Sequence, residues 1–97
     1  MRPMAADFSD DARRPYFLWD EDLSIGEFKQ ALVAGGDEGD RVLGKMLREA
    51  NDQDVWRFVT PQQVADALPR LERRIGNRRY PFWAFVIGKW REYGYVR

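Results

Sequence analysis

Two residue types that most often carry chemistry, cysteine and histidine, are missing from this 97-residue chain. Without cysteine there is no disulfide framework, no thiolate metal site and no thiol nucleophile, which suits a reducing compartment such as the cytoplasm. Without histidine, triads with an imidazole base and HExxH zinc sites are excluded. Phosphate-binding loops are missing too. No GxxxxGK[ST] or GxGxxG stretch occurs, and the glycine cluster GGDEGD at 35–40 holds three acids that would repel phosphate. No apolar run approaches the roughly 20 residues of a membrane span, and the opening MRPMAADFSDDARRP lacks the apolar stretch of a secretory signal. The expectation is a soluble cytoplasmic protein that needs no cofactor or metal and is not an enzyme.

The remaining candidates for acid chemistry are carboxylates. Asp20, Glu21 and Asp22 with Glu27 form one group, and Asp37, Glu38 and Asp40 another. Both coincide with predicted helix N-termini, where negative charge complements the helix dipole, so a structural role is expected for each. Formal charge is zero, but it is unevenly spread: residues 1–54 hold thirteen acids against seven bases, and residues 55–97 hold three acids against nine bases. Such asymmetry is compatible with steering an acidic ligand to one end, with two copies attracting head to tail as a homodimer, or with cancellation where the halves pack together.

A hydrophobic content of 44%, of which a good part is aromatic, suits a single core. Residues 1–14 carry Pro3, Asp7, Asp10, Asp11, Arg13 and Arg14 with Phe8 as their only aromatic side chain and read as a flexible arm, leaving 15–97 as one helical domain. Ser24 and Glu27 form a capping box, with Leu23 and Phe28 as its hydrophobic staple, and predict a helix over 25–34 that Gly35 and Gly36 stop. Asp37 reads as the cap of a second amphipathic helix ending near Asn51, in which Gly44 marks a close helix contact. Asp54 would cap a short turn through Val55 and Trp56. Thr60, Pro61 and Gln63 open a third helix, which Pro69 must kink near Leu68 before Gly76 and Asn77 end its continuation. Pro81 opens a last helix that runs to about Tyr93. The fold class is therefore all-α: a single small domain of four or five short helices, HEAT-like or an irregular bundle, with no strand expected.

The last helix carries more aromatic surface than one face can bury. At 100° per residue its large apolar side chains cover an arc of roughly 200°. Either the helix is central with neighbours on two sides, or part of that surface waits for a partner. Trp83, Ile87 and Trp90, with Tyr16 and Phe17 of the stretch RRPYFLWDEDLS, are the candidate partner-binding residues. That stretch itself reads as a strap, held extended by Pro15 and folded over the groove between the first and last helices, with Tyr16 or Phe17 left on the surface. A second candidate surface is basic: Arg70, Arg73, Arg74, Arg78 and Arg79 lie within ten residues and are followed by Tyr80, Phe82 and Trp83. Arginines among aromatics suit a backbone-tracking, base-stacking nucleic-acid surface. QQVADALPRLERRIG also has a faint helix-turn-helix likeness through Ala65, Leu68 and Ile75, but it places Pro69 and Arg70 where that motif takes a glycine and an apolar residue.

Taken together, RPYFLWDEDLS, the GD before VLGKMLREA, DVWRFVTPQQV and the closing FW…W resemble a group of short bacterial helical proteins. Genes of that group often sit beside genes for nucleotidyltransferase-like toxins of the AbiEii type. The likeness spans roughly residues 15–93 and consists of helix punctuation and tryptophans rather than catalytic signatures. It implies an antitoxin-like role with a nucleotidyltransferase-type protein as partner. The expected function is thus a non-enzymatic protein-interaction module, with nucleic-acid binding through residues 70–79 as the alternative.

Overall fold

Local signals set most of the helix boundaries in the computed structural model, which describes residues 4–5 and 8–97. Helix α1 (Ile25–Ala34) starts at the Ser24 box: the Ser24 hydroxyl accepts from the Glu27 N–H at 3.1 Å while Glu27 accepts from the Ser24 N–H at 2.9 Å. The same reciprocal pairing of Thr60 with Gln63 opens α4 (Pro61–Ala67). Pro69 has its expected effect. The chain tightens into a 3-10 turn (Leu68–Arg70), breaks at Leu71 and resumes as α5 (Glu72–Ile75), which Gly76 ends at φ 87°. Helix α6 (Tyr80–Glu92) follows.

Two predicted caps are corrected. Gly35 and Gly36 both take positive φ, 69° and 66°, and turn the chain so sharply that Gly35 alone separates the end of α1 from the start of α2 (Gly36–Glu49). Asp37 therefore lies inside the first turn and caps nothing through its side chain. Helix α3 (Asp52–Val55) likewise starts before Asp54, whose carboxylate instead accepts a 2.6 Å hydrogen bond from the Tyr16 hydroxyl. The fold is all-α, with six short α-helices among the described residues where four or five were expected. Two two-residue strands, β1 (Met4–Ala5) and β2 (Arg14–Pro15), pair in parallel where no strand was expected.

The expected arm is also revised. Residues 1–3, 6 and 7 lie outside the described residues, but from Phe8 onward the segment packs on the domain. Phe8 is buried and meets the Phe58 ring edge-on at 4.9 Å. Arg14, also buried, donates to the carbonyls of Trp19 and Glu21, both at 3.1 Å, and so clamps the strap that follows. The strap is a 3-10 turn (Tyr16–Leu18) that buries Phe17 and Leu18. Phe17 contacts the rings of Phe8, Phe28 and Phe58, so the strap covers α1, α2 and the turn after α3 rather than a groove beside α6. The core beneath it is built from Ile25 and Phe28 of α1, Val42, Met46 and Leu47 of α2, and Leu71 and Ile75 around α5.

Gly44 sits where α5 crosses α2. A Cβ there would lie 2.7 Å from the Arg74 Cβ, an atom fixed to the α5 backbone. Gly44→Ala should gain about 1 kcal/mol of helix propensity and lose about 2 kcal/mol to the forced separation of α2 and α5, for a net loss of stability. Gly88, inside α6, has nothing within 4 Å of its would-be Cβ. Gly88→Ala should therefore stabilise by about 1 kcal/mol. Urea unfolding of the two variants checks both signs.

Candidate protein-interaction surface

Helix α6 divides its aromatic residues by what they can pair with. Trp83 is fully buried because its indole N–H has a partner inside: it donates to the Leu47 carbonyl at 2.7 Å. Trp56 stands edge-on to it at 5.6 Å and stacks obliquely on Trp90 at 5.0 Å. Ile87 completes this inward face. On the other side, Phe82, Phe85, Lys89 and Tyr93 fall within an arc of about 80° and along about 16 Å of the helix axis. Phe82 is 38% exposed, Phe85 63% and Tyr93 70%. A cation rests on each phenylalanine: the Arg79 guanidinium is 5.0 Å from the Phe82 ring centre and the Lys89 ammonium 5.7 Å from that of Phe85.

The C-terminal residues hold this face outward. Gly94, at φ 80°, ends the helix, and the Tyr95 N–H donates back to the Trp90 carbonyl at 2.9 Å. Val96 then buries itself, while the Arg97 N–H donates to the Gln62 side-chain oxygen on α4 at 2.9 Å. Tyr95, 74% exposed, is left beside Tyr93 at a centroid distance of 6.4 Å.

Against this geometry the predicted partner-binding residues are largely displaced. Phe17, Trp83 and Ile87 lie in the core of the single chain, and Tyr16 and Trp90 are half-buried beside it. Periodicity showed that α6 had too much aromatic surface, and the inside was decided by a remote partner, the Leu47 carbonyl. The exposed residues Phe82, Phe85 and Tyr93 were within the predicted arc but were not singled out. In the strap, Trp19 rather than Tyr16 or Phe17 is the exposed ring.

The basic run does not form one comb. Because the chain breaks at Leu71, Arg70 and Arg74 do not share a continuous helix face. Arg70 is bound to Asp40 through two hydrogen bonds of 3.0 and 3.1 Å. Arg79 lies over Phe82 and Trp83, and Arg74 lays its stem across Gly44. Arg73 and Arg78 are exposed and make no ion pair among the described residues. Several acids of the first half pair with bases of that same half. Arg41 grips Glu21 at 2.9 and 3.0 Å and Glu38 at 2.7 and 2.9 Å, and Lys45 bonds Asp20 and Glu21. Neither acidic group gathers as a metal site: among the described residues no cluster of three or more candidate ligands forms.

Those hydrogen bonds, Arg41 first and then Lys45, hold the Glu21 carboxyl at about 2, well below its ordinary 4.5. A carboxylate with a depressed folded pKa contributes its stability above the unfolded value and loses it as pH falls through the folded one. Stability should therefore decline from about pH 4.5 toward pH 2, by about 1 kcal/mol from Glu21 once solvent screening is allowed for. Urea midpoints measured across that range should show the decline, and Glu21→Gln should make it shallower, the rest coming from Asp20, Glu38 and Asp40, which their basic partners also hold below the ordinary carboxylate range.

A groove of about 500 Å³ opens between α1, the start of α2 and α4, floored by Leu32, Leu43, Val59 and Ala67. Its cations are already engaged: Lys29 with Asp11, Arg70 with Asp40, and Arg57 over the Phe8 ring. No described helix is long and apolar enough to cross a membrane. Comparison with protein-family models, with curated proteins and with solved structures gives no match.

Proposed function

We propose that the chain is a non-enzymatic protein-interaction module that docks a protein partner on the outer face of α6. The observation that carries this reading is the stripe of Phe82, Phe85 and Tyr93, left exposed although the neighbouring Trp83 and Ile87 are fully buried. Exposed rings in one contiguous patch cost solvation that a partner recovers, and aromatic residues are enriched in interface cores. Support for a non-catalytic role comes from the absence of histidine and cysteine and from the engagement of Asp20, Glu21, Glu38 and Asp40 in ion pairs. The sequence resemblance supplies the candidate partner, a nucleotidyltransferase-type protein held in an antitoxin-like complex, and the lack of cysteine favours the cytoplasm.

The test is co-expression with a nucleotidyltransferase-type protein of the same genome, followed by size-exclusion chromatography. A stoichiometric complex is expected from the parent chain. Phe85→Ser with Tyr93→Ser should lose it at an unchanged unfolding midpoint, because both side chains are exposed. A complex that survives both substitutions would place the interface elsewhere. The nucleic-acid alternative rests on Arg73, Arg74 and Arg78, which are exposed. It requires binding that weakens steeply with salt and is lost in Arg73→Glu with Arg74→Glu.

A further inference from the structure

Resting on that reading of α6, we infer that the segment docked there is an acidic amphipathic helix, its apolar side chains on Phe82, Phe85 and Tyr93 and its carboxylates on Arg79 and Lys89. Charge selects this occupant. Residues 73–97 contain seven bases and one acid, Glu92, whose carboxylate lies 3.4 Å from the Lys89 ammonium at the exposed edge of the stripe. Lys89 lies within the aromatic stripe over Phe85, and Arg79, half-buried with its Nη2 donating to the Ala50 carbonyl at 3.5 Å, borders the stripe over Phe82, so a partner covering the rings also covers the exposed parts of both charges. Covering Arg79, which has no ion pair among the described residues, and Lys89, whose one carboxylate is the exposed Glu92, is unfavourable, and carboxylates opposite them offset the cost.

Spacing narrows the chemistry further. Arg79 and Lys89 are ten positions apart, about 15 Å along a helix axis. A helix lying along α6 meets both when its acids are ten or eleven positions apart, with apolar residues at helical spacing between them. A second copy docking α6 against α6 would set these cations against their equivalents. A nucleic acid is less well served because one face of both the Phe82 and the Phe85 ring is already covered by a cation, which halves the surface for base stacking.

The probes are an 18-residue synthetic helix of leucine, glutamate and glutamine with leucines at helical spacing, the same peptide with lysine for glutamate, and oligo-dT. Each is labelled and titrated with the full chain, and binding is read by fluorescence anisotropy. The glutamate peptide should bind, the lysine peptide should not, Phe85→Ser should weaken binding about tenfold and Lys89→Glu about fivefold. Equal binding of both peptides, still lost in Phe85→Ser, would overturn the acidic partner while leaving α6 as the docking face. Binding of neither, or binding indifferent to Phe85→Ser, would overturn the inference together with the docking face. Binding of oligo-dT in place of the peptides would assign the face to nucleic acid, and concentration-dependent self-association abolished by Phe85→Ser would assign it to a second copy.

Discussion

Replacing Trp83 by alanine is expected to lower the free energy of unfolding by about 4 kcal/mol, most of the stability of a small domain. Three losses combine. The side chain is fully buried, so its removal leaves a cavity between α2, α6 and the turn after α3 that the surrounding helices refill only in part. Its edge-on contact with Trp56 disappears, an interaction worth about 1 kcal/mol beyond burial. The Leu47 carbonyl also loses the 2.7 Å hydrogen bond from the indole N–H. That carbonyl is among the last four of α2, which have no partner within the helix, so Trp83 acts as a remote C-terminal cap. Trp83→Phe separates the terms: it keeps most of the ring volume and should cost about 2 kcal/mol, largely through the unpaired carbonyl. Urea unfolding followed by circular dichroism measures both. A loss below about 1 kcal/mol for alanine would mean that α6 is not anchored through this residue.

This dependence on Leu47 shows where a single sequence stops being readable. Ser24 with Glu27 and Thr60 with Gln63 were legible because each box closes within four residues, and no distant element can alter what the local backbone requires. Pro69 and Gly76 were legible for the same reason, one lacking an N–H and the other accepting positive φ. Asp37 and Asp54 were misplaced because a competing geometry prevailed at each. Two consecutive positive-φ glycines advanced the start of α2, and a tyrosine 38 residues away claimed the Asp54 carboxylate. The pairing of Glu21 with Arg41 spans 20 residues, and no helical spacing connects its partners.

The candidate surface was half legible. The arc of α6 was too wide for one face, and the sequence pattern said so. Periodicity treats all its large apolar residues alike, and it could not say that the tryptophan with a buried acceptor would turn in while Phe82, Phe85 and Tyr93 turned out. The signal that separates them is chemical. A buried indole N–H needs an acceptor, and a phenylalanine ring needs none, so the residue with the stronger demand is placed by the site that can meet it. The charge pattern had the same limit. The imbalance between halves was visible, but the bases of the acidic half pair with acids of the same half, and among the described residues Asp40 with Arg70 is the direct ion pair between halves.

Within the strap, Phe17→Ala should cost about 4 kcal/mol, whereas Trp19→Ala, two residues on, should change stability by less than about 0.5 kcal/mol. The difference runs against side-chain size and tests what the strap does. Phe17 is 1% exposed and stands at the centre of an aromatic cluster, with ring centres of Phe28 at 5.2 Å, Tyr16 at 5.4 Å, Phe58 at 5.7 Å and Phe8 at 6.1 Å. Removing it takes a contact from the adjacent Tyr16 and from three rings, Phe8, Phe28 and Phe58, that belong to separate parts of the chain, so the cavity is walled by elements that cannot all move inward at once. Trp19 is 59% exposed, and its tie to the domain runs through its backbone carbonyl, which Arg14 retains whatever the side chain. The two variants should therefore separate widely in their urea midpoints. Equal losses would mean that the strap is held by its surface tryptophan, and an unaffected Phe17→Ala protein would mean that the strap is a docking peptide resting on the domain rather than a wall of its core.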